Sequence, residues 1–417
     1  MPISVVIPCY NSLRFLPETV ASVLAQTHDD LELVLVDDGG TDDLAGWVSA
    51  QADERIRFVR QDNAGPSAAR NRGIAESTGD LVAFLDSDDL WEPEFLERLS
   101  ARFDDPEVAM TYGGWDVIDA EGRRNGRAVV STWEGDVWER FVTRNPVACS
   151  ATIVRRSVLD ELGGFEVNRD RFPIDVEDWE LWVRIAASHR VAVVSEGLAH
   201  HRRHDANSSS HPESLDAAYA HFLDHVFADV PPERMALRPL AAARTEMVMA
   251  WHCLADERDP VKSLGYRRSA ARHAPEVRRS PDYWRVGAAA VALRITGERG
   301  FSIVRGANER ARRLVTRLRI DRLRREDDAL SRQHTPGATH RTDLLIADRG
   351  CAERGGVDAA RHDGDPVGRD AVALDHRQRD EARRRDHPRS GATAHLLVLY
   401  ADDAALLRPS GGGLHRL

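Results

Sequence analysis

Gly79-Asp80-Leu81-Val82-Ala83-Phe84-Leu85-Asp86-Ser87-Asp88-Asp89 decides the fold. Leu81 to Leu85 read as a buried strand, and the run is cut off abruptly by acids. The same pattern recurs upstream. Ile3-Ser4-Val5-Val6-Ile7 is a first strand, after which Pro17 opens a helix with Val20, Val23 and Leu24 on its apolar face. Leu31 to Val36 form a second strand ending in Asp37-Asp38-Gly39-Gly40, with Thr41 the expected N-cap of the next helix. Ile56 to Val59 are a third strand and Ser67 to Ser77 a third helix. Alternating strands and helices predict an α/β domain, a Rossmann-like, mostly parallel sheet with flanking helices. In such sheets ligands gather at the carboxyl ends of the strands, where this chain places its acids and glycines.

Composition narrows the function. The chain has 417 residues and a net charge of −11, which predicts two or three domains and argues against a nucleic-acid partner. Residues 1–210 hold 21 basic against 38 acidic side chains, whereas residues 301–325 hold nine Arg against Glu309 and Asp321. Such asymmetry points to separate modules with separate partners. Cys9, Cys149, Cys253 and Cys351 lie far apart without a C-x-x-C pair, which excludes a ligand-spaced zinc site and points to a reducing compartment. No run reaches the ~20 apolar residues of a membrane span; the longest, Val286 to Leu293, is closed by Arg285 and Arg294. The expected location is cytoplasmic, or peripheral at the inner face of the membrane.

Three regions follow: a catalytic domain over 1–212, an α-helical module over 213–325 and a low-order tail over 326–417. The tail has no aromatic residue from Ser302 to Leu399 and no usable periodicity, so it cannot offset an ordering cost of ~1–2 kcal/mol per residue. Its composition also raises the question of whether it is a genuine in-frame segment. Val304, Ala307, Ala311, Leu314 and Leu318 make a narrow apolar seam on a basic helix. The seam suits docking on the helical module, self-pairing, or a peripheral membrane contact through residues 301–325.

Asp86 and Asp88 offer hard oxygen ligands for Mn²⁺ or Mg²⁺, and an acidic domain needs such a bridge to accept a nucleoside diphosphate. A solvated acidic turn is the alternative. Asp38 at the neighbouring strand end can accept hydrogen bonds from a ribose or base. Arg70, one turn into the helix opened by Asn63-Ala64-Gly65-Pro66, can reach a phosphate or serve a surface ion pair. Glu177 to Ser188 predict a helix on which Asp178 is either functional or an N-terminal acid, with Trp179 and Trp182 on one face as core anchors or sugar contacts.

Taken in order, Val5-Val6-Ile7-Pro8-Cys9-Tyr10-Asn11, Asp37 to Asp42, Gly65 to Gly73, Gly79 to Asp89, Glu177 to Arg184 and His201-Arg202-Arg203-His204 resemble the inverting family-2 glycosyltransferases of GT-A fold, over residues 3 to about 210. The resemblance implies nucleotide contacts from Pro8, Tyr10 and Asp38, and a sugar-nucleotide contact from Asp86. It further implies Asp88 as metal ligand, His204 at the metal or diphosphate, and Asp178 as catalytic base. Gly40 departs from the Ser of many relatives, which alters loop stiffness without removing a ligand. The implied activity is transfer of a sugar from a nucleotide-diphosphate sugar, a UDP-sugar by expectation, to a glycan or lipid-linked acceptor. Mn²⁺ or Mg²⁺ is the implied cofactor. A sugar-1-phosphate nucleotidyltransferase is the enzyme alternative, although Pro8-Cys9-Tyr10-Asn11-Ser12 is not the basic Gly-rich loop it would want; an idle donor-binding scaffold is the non-enzyme one.

Overall fold

Alternation along β1 (Ile3–Cys9) sends Val6 to one face of a sheet and Val5 and Ile7 to the other. The computed structural model describes residues 1–167, 176–205 and 215–333. After β1 come α1 (Leu16–Leu24), β2 (Leu31–Asp38), α2 (Leu44–Gln51), β3 (Ile56–Gln61), α3 (Pro66–Glu76) and β4 (Leu81–Phe84). The four strands are parallel in the order β3-β2-β1-β4, so their carboxyl ends share one edge. On one face Val5, Ile7, Leu33, Leu35 and Ala83 pack with Leu16, Val20 and Val23 of α1. On the other, Val6, Val34, Val36, Val82 and Phe84 pack with Ala69 and Ile74 of α3. Covering both faces is why β1, β2 and β4 read as apolar runs, whereas β3 at the edge leaves Arg57 and Arg60 exposed. Helix α3 comes close to β1 because Gly73 has no side chain: a Cβ there would lie 2.2 Å from Val6 Cγ1.

The chain continues through β5 (Leu90–Trp91), α4 (Phe95–Ser100), β6 (Val108–Ile118), β7 (Arg124–Val129), α5 (Trp138–Phe141), β8 (Thr152–Arg155), α6 (Arg156–Leu162), α7 (Glu177–Ser188) and β9 (Arg190–Arg202). The sheet extends as β4-β8-β6-β9-β5, with β7 on β6, giving nine strands among the described residues. The parallel order stops at β4. Strand β8 is antiparallel to both β4 and β6, and β9 is again parallel to β6, so this half of the α/β sheet is mixed.

A helical region follows: α8 (Leu215–Val226), α9 (Pro232–Met235), α10 (Arg238–Ala255), α11 (Pro260–His273) and α12 (Pro281–Gln333). Phe222 and Tyr219 of α8 join the core that holds Trp179 and Trp182 of α7. Met247, Trp251, Val286, Ala290 and Phe301 belong to a separate core of α10, α11 and α12. Helix α12 kinks at Gly297, whose φ is 63°. It runs to Gln333, so the low-order tail expected over 326–417 begins in helix and from residue 334 lies outside the described residues. Among the described residues no helix is long and apolar enough to cross a membrane.

Thr41 does not cap α2. Asp43 does, its Oδ1 accepting from Gly46 N at 3.0 Å. The backbone turns first through Gly39, at φ 75°, and Thr41 instead donates its N–H and hydroxyl to Asn11 Oδ1 at 2.7 and 3.0 Å. Gly40 N donates to Asp37 Oδ1 at 2.9 Å, and a Cβ on Gly40 would stand 3.0 Å from Asn11 N, a tight approach.

Candidate active site

The shared carboxyl edge collects the side chains singled out in the sequence. Pro8 is half-buried near the end of β1, and Tyr10, just past it, is 56% exposed. At the end of β2 the two acids divide their work. Asp37 accepts from Gly40 N and, at 2.5 Å, from Arg60 Nη1. Asp38 is buried: Oδ1 accepts from Gln61 Nε2 at 2.8 Å and Ala64 N at 2.9 Å, and Oδ2 from Gly65 N at 2.7 Å. Asp38 thus fixes the turn that launches α3, whose N-cap Gly65 holds φ 94°.

That turn places Arg70. Rather than a surface ion pair, Arg70 is 5% exposed, donating Nη2 to Asp86 Oδ1 at 2.8 Å and Nη1 to Glu177 Oε1 at 3.1 Å. Its guanidinium lies 5.4 Å from the Phe165 ring centre. Asp86 follows β4, and Glu177 is the first residue of α7, so one arginine ties three elements together.

Helix α7 forms as the sequence predicts, with Glu177, Asp178 and Glu180 at the positive end of its dipole. Trp182 is fully buried between Phe84 and Phe165, while Trp179 stacks on Phe222 at 4.2 Å and donates Nε1 to Phe141 O at 2.7 Å. Both are core anchors that fix the helix, and Trp115 is likewise buried, donating to Pro146 O. Asp178 Oδ1 accepts from Trp179 N at 2.6 Å. Burial first, then the Glu177 charge, push Asp178 up to about 8, with Arg70 pulling the other way. Burial also pushes the neighbouring Cys149 thiol up, which keeps it protonated and inert.

Next along the edge, Asp88 Oδ2 lies 2.8 Å from His204 Nε2, and the His204 ring packs on Phe15 at 4.6 Å. Burial and the charges of Asp89 and Asp86 raise Asp88 above the usual carboxylate range, against the pull of His204. Asp89 behaves oppositely. Burial would raise it, but His201, Ser150 Oγ at 2.6 Å and Arg202 N at 2.8 Å together hold it low. The histidines take separate acids: His200 contacts Asp116 and Glu92 at 2.5 and 3.1 Å, His201 reaches Asp89, and His204 reaches Asp88. Among the described residues no three His, Cys, Asp or Glu converge on one point as a closed metal cage.

Pro8, Tyr10, Asp38, Arg70, Asp86 and Asp88 therefore meet on one sheet edge, joined by Asp178 and His204 from later elements. The glycosyl transferase family 2 profile matches residues 4–163, the span from β1 through α6. Residues 4–163 are a family 2 glycosyltransferase domain. The chain is 34% identical over 223 residues to an uncharacterised glycosyltransferase of Nostoc sp., covering 50% of this chain and 66% of that protein. It spans 32% of a Rickettsia felis relative at 31% identity. It is 25% identical over 201 residues to the Escherichia coli UDP-Glc:alpha-D-GlcNAc-diphosphoundecaprenol beta-1,3-glucosyltransferase, covering 47% of this chain and 74% of that one. In fold it is similar to S. aureus TarS 1-349, solved in complex with UDP-GlcNAc, at 18% identity and TM-score 0.51, over 75% of this chain and 92% of that 1-349 chain.

Three residues at this edge carry no site role in the sequence reading: Glu177, Asp89 and Arg202. Glu177 shares Arg70 with Asp86, and Asp89 and Arg202 brace the loop after β4; Arg202 Nε also donates to Asp88 O at 2.7 Å. Glu177 stands beside Asp178 and Asp89 beside Asp88, so adjacency was the only signal, and only packing distinguishes the brace from the site.

Proposed function

We propose that this protein transfers a sugar from a nucleoside-diphosphate sugar to a hydroxyl acceptor with inversion, and that Asp178 is the base. The observation that carries the reading is the raised Asp178 carboxylate at the start of α7, within the electrostatic reach of Arg70 and Asp86. A hydroxyl is a weak nucleophile, and a carboxylate of raised pKa is a stronger proton acceptor than a solvated one. The acceptor oxygen would attack the anomeric carbon as its bond to the diphosphate oxygen breaks, its proton passing to Asp178. One displacement leaves the anomeric centre inverted.

Pro8 and Tyr10 would border the base and ribose, with Asp38 fixing the adjoining turn and Asp86 facing the sugar-nucleotide. Asp88 Oδ2 and His204 Nε2, 2.8 Å apart, fit adjacent ligands of an octahedral Mn²⁺ or Mg²⁺. Ligands at ~2.1 Å subtend about 3.0 Å between neighbours, and such ions take one or two protein ligands plus substrate phosphates and water. The ion would supply charge stabilisation to the departing diphosphate. UDP-sugars are the first donors to test and a lipid-linked glycan the first acceptor, in line with the activity for which the Escherichia coli relative is named.

The test is a nucleotide-sugar panel with Mn²⁺, reading nucleoside diphosphate release. Asp178→Asn should bind the productive donor normally and lose turnover by ~10²-fold or more, the usual worth of a positioned base. Wild-type turnover should also rise with pH through about 8, because only the ionised carboxylate accepts a proton. Undiminished turnover by Asp178→Asn would remove the base assignment.

A further inference from the structure

Six of the eleven large apolar side chains that stand exposed among the described residues lie on α12. Trp284, Val291 and Ile295 are 64%, 48% and 75% exposed, and their spacings of seven and four put them on one stripe. The opposite stripe, Val286, Ala289 and Ala290, is buried against α10 and α11, so the core face of this helix is already covered. The seam expected from residue 304 onward starts inward instead: Phe301 is buried and Val304 packs on the same core, and the exposed side resumes at Leu314 and Leu318.

The surroundings of the stripe are basic. Residues 267–325 hold 17 Arg against Glu276, Asp282, Glu298, Glu309 and Asp321, in a chain whose net charge is −11. Arg268, Arg278, Arg279 and Arg294 are exposed. Trp284 Nε1 donates to Arg278 O at 2.8 Å and its ring centre lies 5.7 Å from the Arg267 guanidinium. Burial pulls Arg267 below its ordinary value, with Tyr283 opposing and the charges of Arg268 and Arg278 adding to the fall.

We propose that Trp284, Val291 and Ile295, flanked by Arg278, Arg279 and Arg294, seat this helix on an anionic bilayer surface. The apolar stripe enters the headgroup boundary, where Trp is favoured, while guanidinium groups meet lipid phosphates. A second copy is disfavoured as the occupant because a self-pairing interface would bring arginine patch against arginine patch. A bare polyanion would leave the apolar stripe without a counterpart. The inference is independent of the donor chemistry above.

Flotation of the full chain with vesicles of phosphatidylcholine, with and without phosphatidylglycerol, tests it. The wild type should float with the anionic vesicles, release as salt rises, and bind neutral vesicles weakly. Trp284→Ala with Ile295→Ala should lower partition by about tenfold or more while the protein still melts cooperatively, since both side chains stand exposed. Brominated lipid should quench part of the tryptophan emission, and Trp284→Phe should remove that part. Equal flotation of wild type and double variant, absence of quenching, or self-association abolished by the double variant without any flotation would each overturn the proposal.

Discussion

Arg70→Met removes a cation shared by Asp86 and Glu177 while keeping most of the aliphatic volume. Breaking a buried ion pair from one side costs about 3–5 kcal/mol, because the remaining charges stay desolvated. The lower end applies here. The Asp86 side chain is 32% exposed and can recover water, whereas that of Glu177 is only 9% exposed and cannot. A loss of about 3 kcal/mol lowers the melting temperature by roughly 6–12 °C for a domain of this size. The same change withdraws the attraction that holds Asp178 down, so the rising limb of the pH–rate profile should move above its wild-type position near 8. Scanning calorimetry reads the first effect and initial rates from pH 6 to 10 the second. Adding Glu177→Gln removes the carboxylate charge that faced Arg70; it should recover part of the stability and bring the limb back down. A melt unchanged in Arg70→Met would refute the buried-pair reading, and a lowered melt with an unmoved limb would show that Arg70 has no electrostatic hold on Asp178.

Two further changes probe the scaffold. Gly73→Ala forces a methyl against Val6 Cγ1 and should cost about 1–3 kcal/mol in denaturant unfolding, with activity falling because α3 carries Arg70; a neutral substitution would contradict the close approach. For His200, burial opposes the charge but Asp116 and Glu92 overcome it and hold the ring up at about 9, against 6.5 in an unfolded chain. A raised folded value stabilises fully below 6.5 and is lost as pH rises through 9, so the wild type should lose roughly 3 kcal/mol across that window. His200→Gln should lack this component, and an identical pH dependence in the variant would rule it out.

The parallel half of the sheet was legible because β1, β2 and β4 are covered on both faces and therefore read as apolar runs, as Leu81–Phe84 does, while β3 at the edge still carries Ile56, Phe58 and Val59. Helix α7 was legible from its acids and the Trp179–Trp182 face. The mixed half was not, since β8 pairs with β4 and β6 through contacts distant in sequence. At the site the residue types were readable but their partners were not. Asp38 reads as a ligand contact, yet its carboxylate is taken up by Ala64 N and Gly65 N. Arg70 reads as a surface or phosphate cation, yet it is sealed between Asp86 and Glu177. Thr41 and Asp43 are both good caps by type, and the turn through Gly39 decides between them.

The most direct measurement of the central claim is calorimetric titration of the productive nucleotide sugar into wild type and Asp88→Ala, with Mn²⁺ and again with excess chelator. The account predicts binding by the wild type that needs the cation, and a variant whose weak binding is the same under both conditions. Wild-type affinity that survives chelation, or an Asp88→Ala protein that binds as tightly as wild type with Mn²⁺, would contradict it.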